Sequence, residues 1–372
     1  MESNRLAPAQ EGAVADKEVE GAPAQSEGQA PEAPPQTRKL VAVGDLHGDY
    51  HRLLRHLREN ELLLPGTLEW NPAQNRVDLI LIGDYVDWRG EHLEGPDQLE
   101  EQVKGAYRIL ELILSVHRQL ERLRATEPGF DSHLYALLGN HDDMMLEATQ
   151  VFEFLGLQEL ESLLGGPRHY GSIKRQTVAM GLSPAQVEKV LKLMNWWVQG
   201  GEATVRGFGG LRPWKEAMDG ELGDFLRRYL RLGVILDDTL FVHTLPDSPR
   251  FWRPLEEIVA LPEPDYRHAK ELFLWSRKLW GYDYATGMRT SPFTPEELNA
   301  LLDGFGVKRC VVGHTPLGMG ARPVALYQGK ILNIDLHGVP DAMALVEEYV
   351  PTGEVHAPLR PVPPPASQEA PG

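Results

Sequence analysis

The segment VDLILIGDYVD, residues 77–87, changes character at Gly83. Its first six positions are dominated by Val, Leu and Ile and read as a strand covered on both faces, as in parallel sheets. In such sheets the functional crevice lies beyond the carboxyl ends of the strands. Asp84 and Asp87 therefore stand where chemistry is done. The same order recurs on either side. Residues 39–43 run into Gly44-Asp45-Leu46-His47-Gly48, and residues 133–138 into Gly139-Asn140-His141-Asp142. Residues 240–242 run into His243-Thr244, and Val311-Val312 into Gly313-His314-Thr315-Pro316. Any one of these motifs is an ordinary turn or helix cap. Five in a row, each closing an apolar strand, require a shared purpose.

Carboxylates and imidazoles together suit manganese, iron or zinc. A two-metal site needs one carboxylate between ions that lie roughly 3.5–4 Å apart, and Asp84 is the candidate bridge. Asp45 and His47, two apart at a strand end, can reach one ion together. Asn140 offers a neutral oxygen that limits the negative charge of the site, and His243 and His314 can complete the second ion.

The rest of the chain frames this core. Residues 51–60 carry Leu53, Leu54 and Leu57 at helical spacing, and residues 101–123 read as an amphipathic helix. Residues 330–334 and 344–349 read as closing strands. Residues 144–238 are mainly helical in pattern and hold the glycine-rich patch GGEATVRGFGG at 200–210. That insertion is either a cap that shapes substrate access or a helical layer on the sheet. Residues 1–37 and 358–372 lack the apolar side chains that offset ordering entropy and read as an acidic and a Pro-rich disordered tail. The catalytic domain is expected at 38–357.

Of the 372 residues, 42% are apolar, enough for a sizeable core. The net charge of -17 repels nucleic-acid backbones and anionic membranes, so neither is expected as a partner. It also repels phosphates, so phosphate chemistry needs a locally positive site. The one cysteine, Cys310, excludes an intramolecular disulfide and reads as a buried strand residue. MESNRLAPAQ at the start lacks the charged and apolar regions of a signal peptide, and no apolar run approaches the ~20 residues that span a bilayer. A cytoplasmic location is expected.

GDLHG, GDYVD followed by an arginine, GNHD, a strand-end histidine and GHTP, in that order, resemble the signature of the phosphoprotein (serine/threonine) phosphatases of the calcineurin-like metallophosphoesterase superfamily, and in particular their bacterial branch. The likeness runs from residue 39 to residue 349. GGEATVRGFGG resembles a glycine-rich, threonine-containing segment of that branch, and Leu274-Trp275-Ser276-Arg277 a segment that supplies a phosphate-binding arginine. The resemblance implies an α/β fold, a central β-sandwich flanked by helices, with a helical insertion. It implies two divalent ions, manganese first, with iron or zinc as alternatives. Asp45, His47 and Asp84 would hold the first ion; Asp84, Asn140, His243 and His314 the second. His141 would be the general acid, paired with Asp87, and Arg277 and Arg89 would bind the phosphate. The family's Asp-Arg-Gly reads Asp87-Trp88-Arg89-Gly90 here, with Trp88 intervening.

The expected reaction is in-line hydrolysis by a metal-bridging hydroxide, without a covalent phosphoenzyme. The expected substrate is a phosphorylated protein, at Ser, Thr or Tyr. The alternative is a small phosphoester such as a dinucleoside polyphosphate, for which Trp196, Trp197, Phe208 and Trp214 could stack on a base. A third reading is a metal-binding adaptor without catalysis, against which the retained His141 and Asp87 argue.

Overall fold

The computed structural model describes residues 36–88, 103–166, 169–316, 320–339 and 341–360. Its strands are β1 (Arg38–Val43), β2 (Val77–Leu81), β3 (His133–Ala136), β4 (Gly233–Leu236), β5 (Thr239–Val242), β6 (Arg309–Val312), β7 (Val324–Leu326), β8 (Ile331–Asn333) and β9 (Leu345–Tyr349). They form two sheets. The first has the order β3-β2-β1-β9, parallel except for β9. The second has the order β4-β5-β6-β8-β7, with β5, β6 and β8 parallel and an antiparallel strand at each edge.

Side chains alternate across each strand and so build three apolar layers. Leu40, Ala42 and Ile80 of the first sheet meet Val234, Phe241 and Val311 of the second. On the outer face of the first sheet, Val41, Val43, Leu79 and Leu81 pack on α1 (Tyr50–Glu59), α2 (Gly105–Thr126) and the helices that follow β3. On the outer face of the second, Leu240, Val242, Cys310 and Val312 pack on α10 (Leu255–Val259), α11 (Glu263–Trp275) and α12 (Pro295–Phe305). The result is a β-sandwich flanked by helices. Between β3 and β4 the chain forms α3 (Asn140–Ala148), α4 (Leu157–Leu164), α5 (Tyr170–Ala179), α6 (Pro184–Trp196), α7 (Glu202–Gly207), α8 (Leu211–Asp219) and α9 (Glu221–Tyr229).

One local reading of the sequence changes, and two further features were not read from it. Residues 233–236 lie in the stretch read as mainly helical but form β4. Gly-Val-Ile-Leu is too short and too apolar to show a period, and the Asp237-Asp238 turn folds it back on β5. β7, a three-residue edge strand, carried no visible pattern. Asp78, inside the apolar run of β2, is 1% exposed. Its carboxylate takes a forked pair of bonds from Arg38 of β1 at 2.6 and 2.8 Å, and one from Tyr349 Oη of β9 at 2.7 Å. His133 of β3 lies 3.6 Å away. One acid thus ties all four strands of its sheet together at the end opposite the strand-end motifs.

Burial alone would raise the Asp78 pKa, but the bonds from His133 and Arg38 outweigh it and hold the carboxyl below its ordinary range. Breaking a buried pair from one side leaves the other charge uncompensated. Asp78→Ala should therefore cost about 3 kcal/mol in urea unfolding. The wild-type contribution should be complete at neutral pH and fade only as pH falls below about 4, through the unfolded and then the lower folded value.

Candidate metal centre

The loops leaving β1, β2, β3, β5 and β6 meet at one end of the sandwich. Asp45, His47, Asp84, Asp87, Asn140, His141, His243 and His314 are each at most 5% exposed. Their backbones are forced into place. Among the described residues nine non-glycine residues have positive φ, and His47, Asp84, Asp87 and His314 are four of them. Such conformations are costly and persist where packing over-determines them, as at functional sites. Glycine makes room at two close approaches to the site's carboxylates. A Cβ on Gly139 would lie 2.2 Å from Asp84 Oδ1, and one on Gly313 would lie 2.1 Å from Asp45 Oδ1.

Two groups of three potential ligands, each with atoms within 4.8 Å of one another, share Asp84: His47, Asp84 and His141, and Asp84, His243 and His314. Asp84 Oδ2 lies 3.5 Å from His47 Nε2 and 3.6 Å from His243 Nε2. Its Oδ1 accepts from the His141 backbone N–H at 2.9 Å. One oxygen is thus anchored and the other lies between the two groups. Asn140 Oδ1 lies 2.9 Å from both His243 Nε2 and His314 Nδ1, which are 3.2 Å apart.

The electrostatics suit cations. Burial would raise the Asp84 pKa, but the surrounding imidazoles, led by His243, hold it below the carboxylate range. Burial lowers the pKa of both His243 and His314, the direction that favours the neutral form metal ligation requires. Buried Asp45 Oδ1 and His314 Nε2 find no protein hydrogen-bond partner. Two convergent imidazole nitrogens, a neutral amide oxygen and carboxylates fit divalent ions.

The other expected residues fall as follows. Asp45 belongs to neither group of three; its Oδ2 accepts from the His314 backbone N–H at 2.9 Å, and burial with the charges of Asp335 and Asp84 raises its pKa. His141 joins the first group instead, with its Nδ1 2.7 Å from Asp87 Oδ2. Arg277 is half-buried, its Nη1 3.1 Å from Thr315 Oγ1, and its charge helps to lower His243 and His314. Arg89 lies outside the described residues.

The sequence reading missed several supporting groups. Asp142 accepts backbone N–H bonds from Asp84, Tyr85 and Gly139 at 2.7, 2.9 and 3.0 Å, and so fixes the turn that carries Asp84. Buried Arg52 of α1 donates to the Asp45 carbonyl. Past β8, Asp335 is buried, and the His337 ring lies 4.7 Å from that of His47. A signal for these was present. Asp335-Leu336-His337-Gly338 repeats the Asp45-Leu46-His47-Gly48 tetrapeptide at the end of another apolar strand.

This convergence of carboxylates and imidazoles on a sandwich of this kind defines a metal-dependent phosphoesterase. Residues 38–318 match the model of the calcineurin-like phosphoesterases, and the chain belongs to that family. No match was found among curated proteins. Among solved structures it is similar to the cold-active protein-tyrosine phosphatase of a psychrophilic Shewanella species, at 18% identity and TM-score 0.46, over 83% of this chain and 75% of that one. A mutant form of a cold-active protein tyrosine phosphatase is similar at 17% identity and TM-score 0.45, over 84% and 75%.

Partners that orient metal ligands typically contribute 10–100-fold to metal affinity. Asp142→Ala should weaken divalent-ion binding by about tenfold or more in titration calorimetry. Unchanged affinity would show that Asp142 does not set the position of Asp84.

Proposed function

We propose that the protein removes phosphate from phosphoproteins by direct in-line hydrolysis. The observation that carries this reading is Asp84, a buried carboxylate with one oxygen anchored and the other shared by two ligand groups. Asp45, His47 and Asp84 are the proposed ligands of one ion. Asp84, Asn140, His243 and His314 are those of the other, and manganese is the proposed metal. When bound, such a pair of ions makes hydroxide available near neutral pH and neutralises charge on phosphate oxygens.

The chain's own residues supply the rest. Arg277, beside His243 and His314, binds non-bridging phosphate oxygens with its planar fork. His141 has Nδ1 engaged by Asp87, so Nε2 is the nitrogen that delivers a proton to the leaving oxygen. Asp87 holds the ring in that orientation. Arg89 is proposed as a second phosphate-binding arginine. Water adds to phosphorus as the ester oxygen departs with the proton from His141.

One observation favours a phosphoprotein over a nucleotide. Trp196, Trp197, Phe208 and Trp214, the aromatics that could stack on a base, are all buried in the core against the first sheet. None is presented to a ligand. A cytoplasmic location remains part of the proposal; among the described residues no helix is long and apolar enough to cross a membrane.

Metal-stripped protein should hydrolyse p-nitrophenyl phosphate only after Mn²⁺ is restored, and Asp84→Asn should lower kcat by about 10²-fold or more. Phosphopeptides should be cleaved in preference to diadenosine tetraphosphate. Activity that survives chelation, or a phosphorylated enzyme trapped by acid quench, would overturn the mechanism. Preference for the dinucleotide would overturn the substrate class.

A further inference from the structure

Asp87 is completely buried and takes more hydrogen bonds than His141 alone provides. Trp196 Nε1, at the end of α6, donates to Oδ2 at 2.8 Å and to Oδ1 at 3.0 Å. Thr204 Oγ1 of α7 donates to Oδ1 at 2.7 Å and accepts from the Asp87 backbone N–H at 2.9 Å. The turn between these helices is pressed flat on the same residue. Gly200 has φ +128°, and a Cβ there would sit 2.7 Å from Asp87 Cβ. A Cβ on Gly201 would sit 2.5 Å from the Trp196 indole. The indole is itself wholly buried, with its ring 5.2 Å from that of Trp214.

We infer that Trp196 is a positioning residue, whose indole N–H acts with Thr204 to fix the plane of the Asp87 carboxylate and so aims the His141 imidazole at the leaving oxygen. The inference rests on the general-acid reading of His141. Three features distinguish this from ordinary satisfaction of a buried indole. A carbonyl would satisfy one N–H, whereas here the indole reaches both oxygens of a single carboxylate. The hydroxyl of Thr204 closes a ring by bonding both the backbone and the side chain of Asp87. Both donors are neutral, so the carboxylate keeps its full charge toward the imidazole, where a lysine or arginine would compete for it. With Oδ1 held by Thr204, the carboxylate has little freedom to rotate away from His141. The segment from α6 to α7 thereby acts on the reaction without touching the substrate.

General acids matter most when the leaving group is basic, since protonation then lowers the barrier most. The test is steady-state hydrolysis of phenyl phosphate and p-nitrophenyl phosphate by the Mn²⁺-loaded full chain, for wild type, Asp87→Asn, Trp196→Phe, Thr204→Val and Thr204→Ser. Asp87→Asn should lose about 10²-fold in kcat on phenyl phosphate and much less on p-nitrophenyl phosphate. Trp196→Phe, which keeps the ring and removes the N–H, should show the same selective loss at about tenfold, with KM and bound Mn²⁺ unchanged. Thr204→Val should behave likewise and Thr204→Ser should restore the rate, which keeps the test decisive if the Trp196 variant folds poorly. Equal losses on both substrates, or none, in Trp196→Phe and Thr204→Val beside a selective loss in Asp87→Asn would overturn the positioning role and leave the general acid intact. No selective loss in Asp87→Asn would overturn both.

Discussion

The site depends on the burial of one charge. Asp84 is 2% exposed; burial works against its charge, and the pull of the surrounding imidazoles, His243 first, lowers its pKa below the carboxylate range. Placing a carboxylate in a low-dielectric interior is expensive unless it is hydrogen-bonded and faced by positive charge. Much of the local architecture serves that demand. The His141 backbone N–H anchors Oδ1, and Asp142 gathers the amides of Asp84, Tyr85 and Gly139. Gly139 is a glycine because a side chain there would displace the anchored oxygen. The positive φ of Asp84 itself is tolerated because these contacts leave it no alternative.

The sandwich matters because Asp84 needs partners from both sheets. His47, Asn140 and His141 come from the same sheet as Asp84; His243 and His314 follow β5 and β6 of the other. Packing of Ile80 and Ala42 against Phe241 and Val311 therefore sets the distance between the two halves of the site. At the other end, the Asp78 network locks the first sheet's strands in register. Register matters because a slip of one residue would turn every strand-end ligand to the wrong face.

What the sequence made legible was local. A glycine closing an apolar run shows within a few residues, so the strand ends and most of the polar residues that converge beyond them could be named from the chain alone. What it concealed was long-range or too short to have a period. β4 and β7 have four and three residues. Asp78 shows its role only through its partners on three other strands. Trp196 lies 109 positions from Asp87, and nothing in the local pattern around it points to that partner; its surroundings pack in the core. Asp335 and His337 were concealed differently, since their tetrapeptide repeats that of the first motif and was legible in principle.

The site also resolves a conflict in the composition. A chain of net charge -17 should repel phosphates. The proposed ligands include only two carboxylates, Asp45 and Asp84, beside a neutral amide and neutral imidazoles. Two divalent ions carry +4 against the -2 of those ligands, so the cage would be positive by 2, with Arg277 adding to it from the side of His243 and His314. The neutral donors chosen for Asp87 follow the same logic. Trp196 and Thr204 satisfy a buried acid without adding a cation that would draw it from His141. Positive charge would be concentrated where the phosphate binds, and no added cation would compete with His141 for the carboxylate of Asp87.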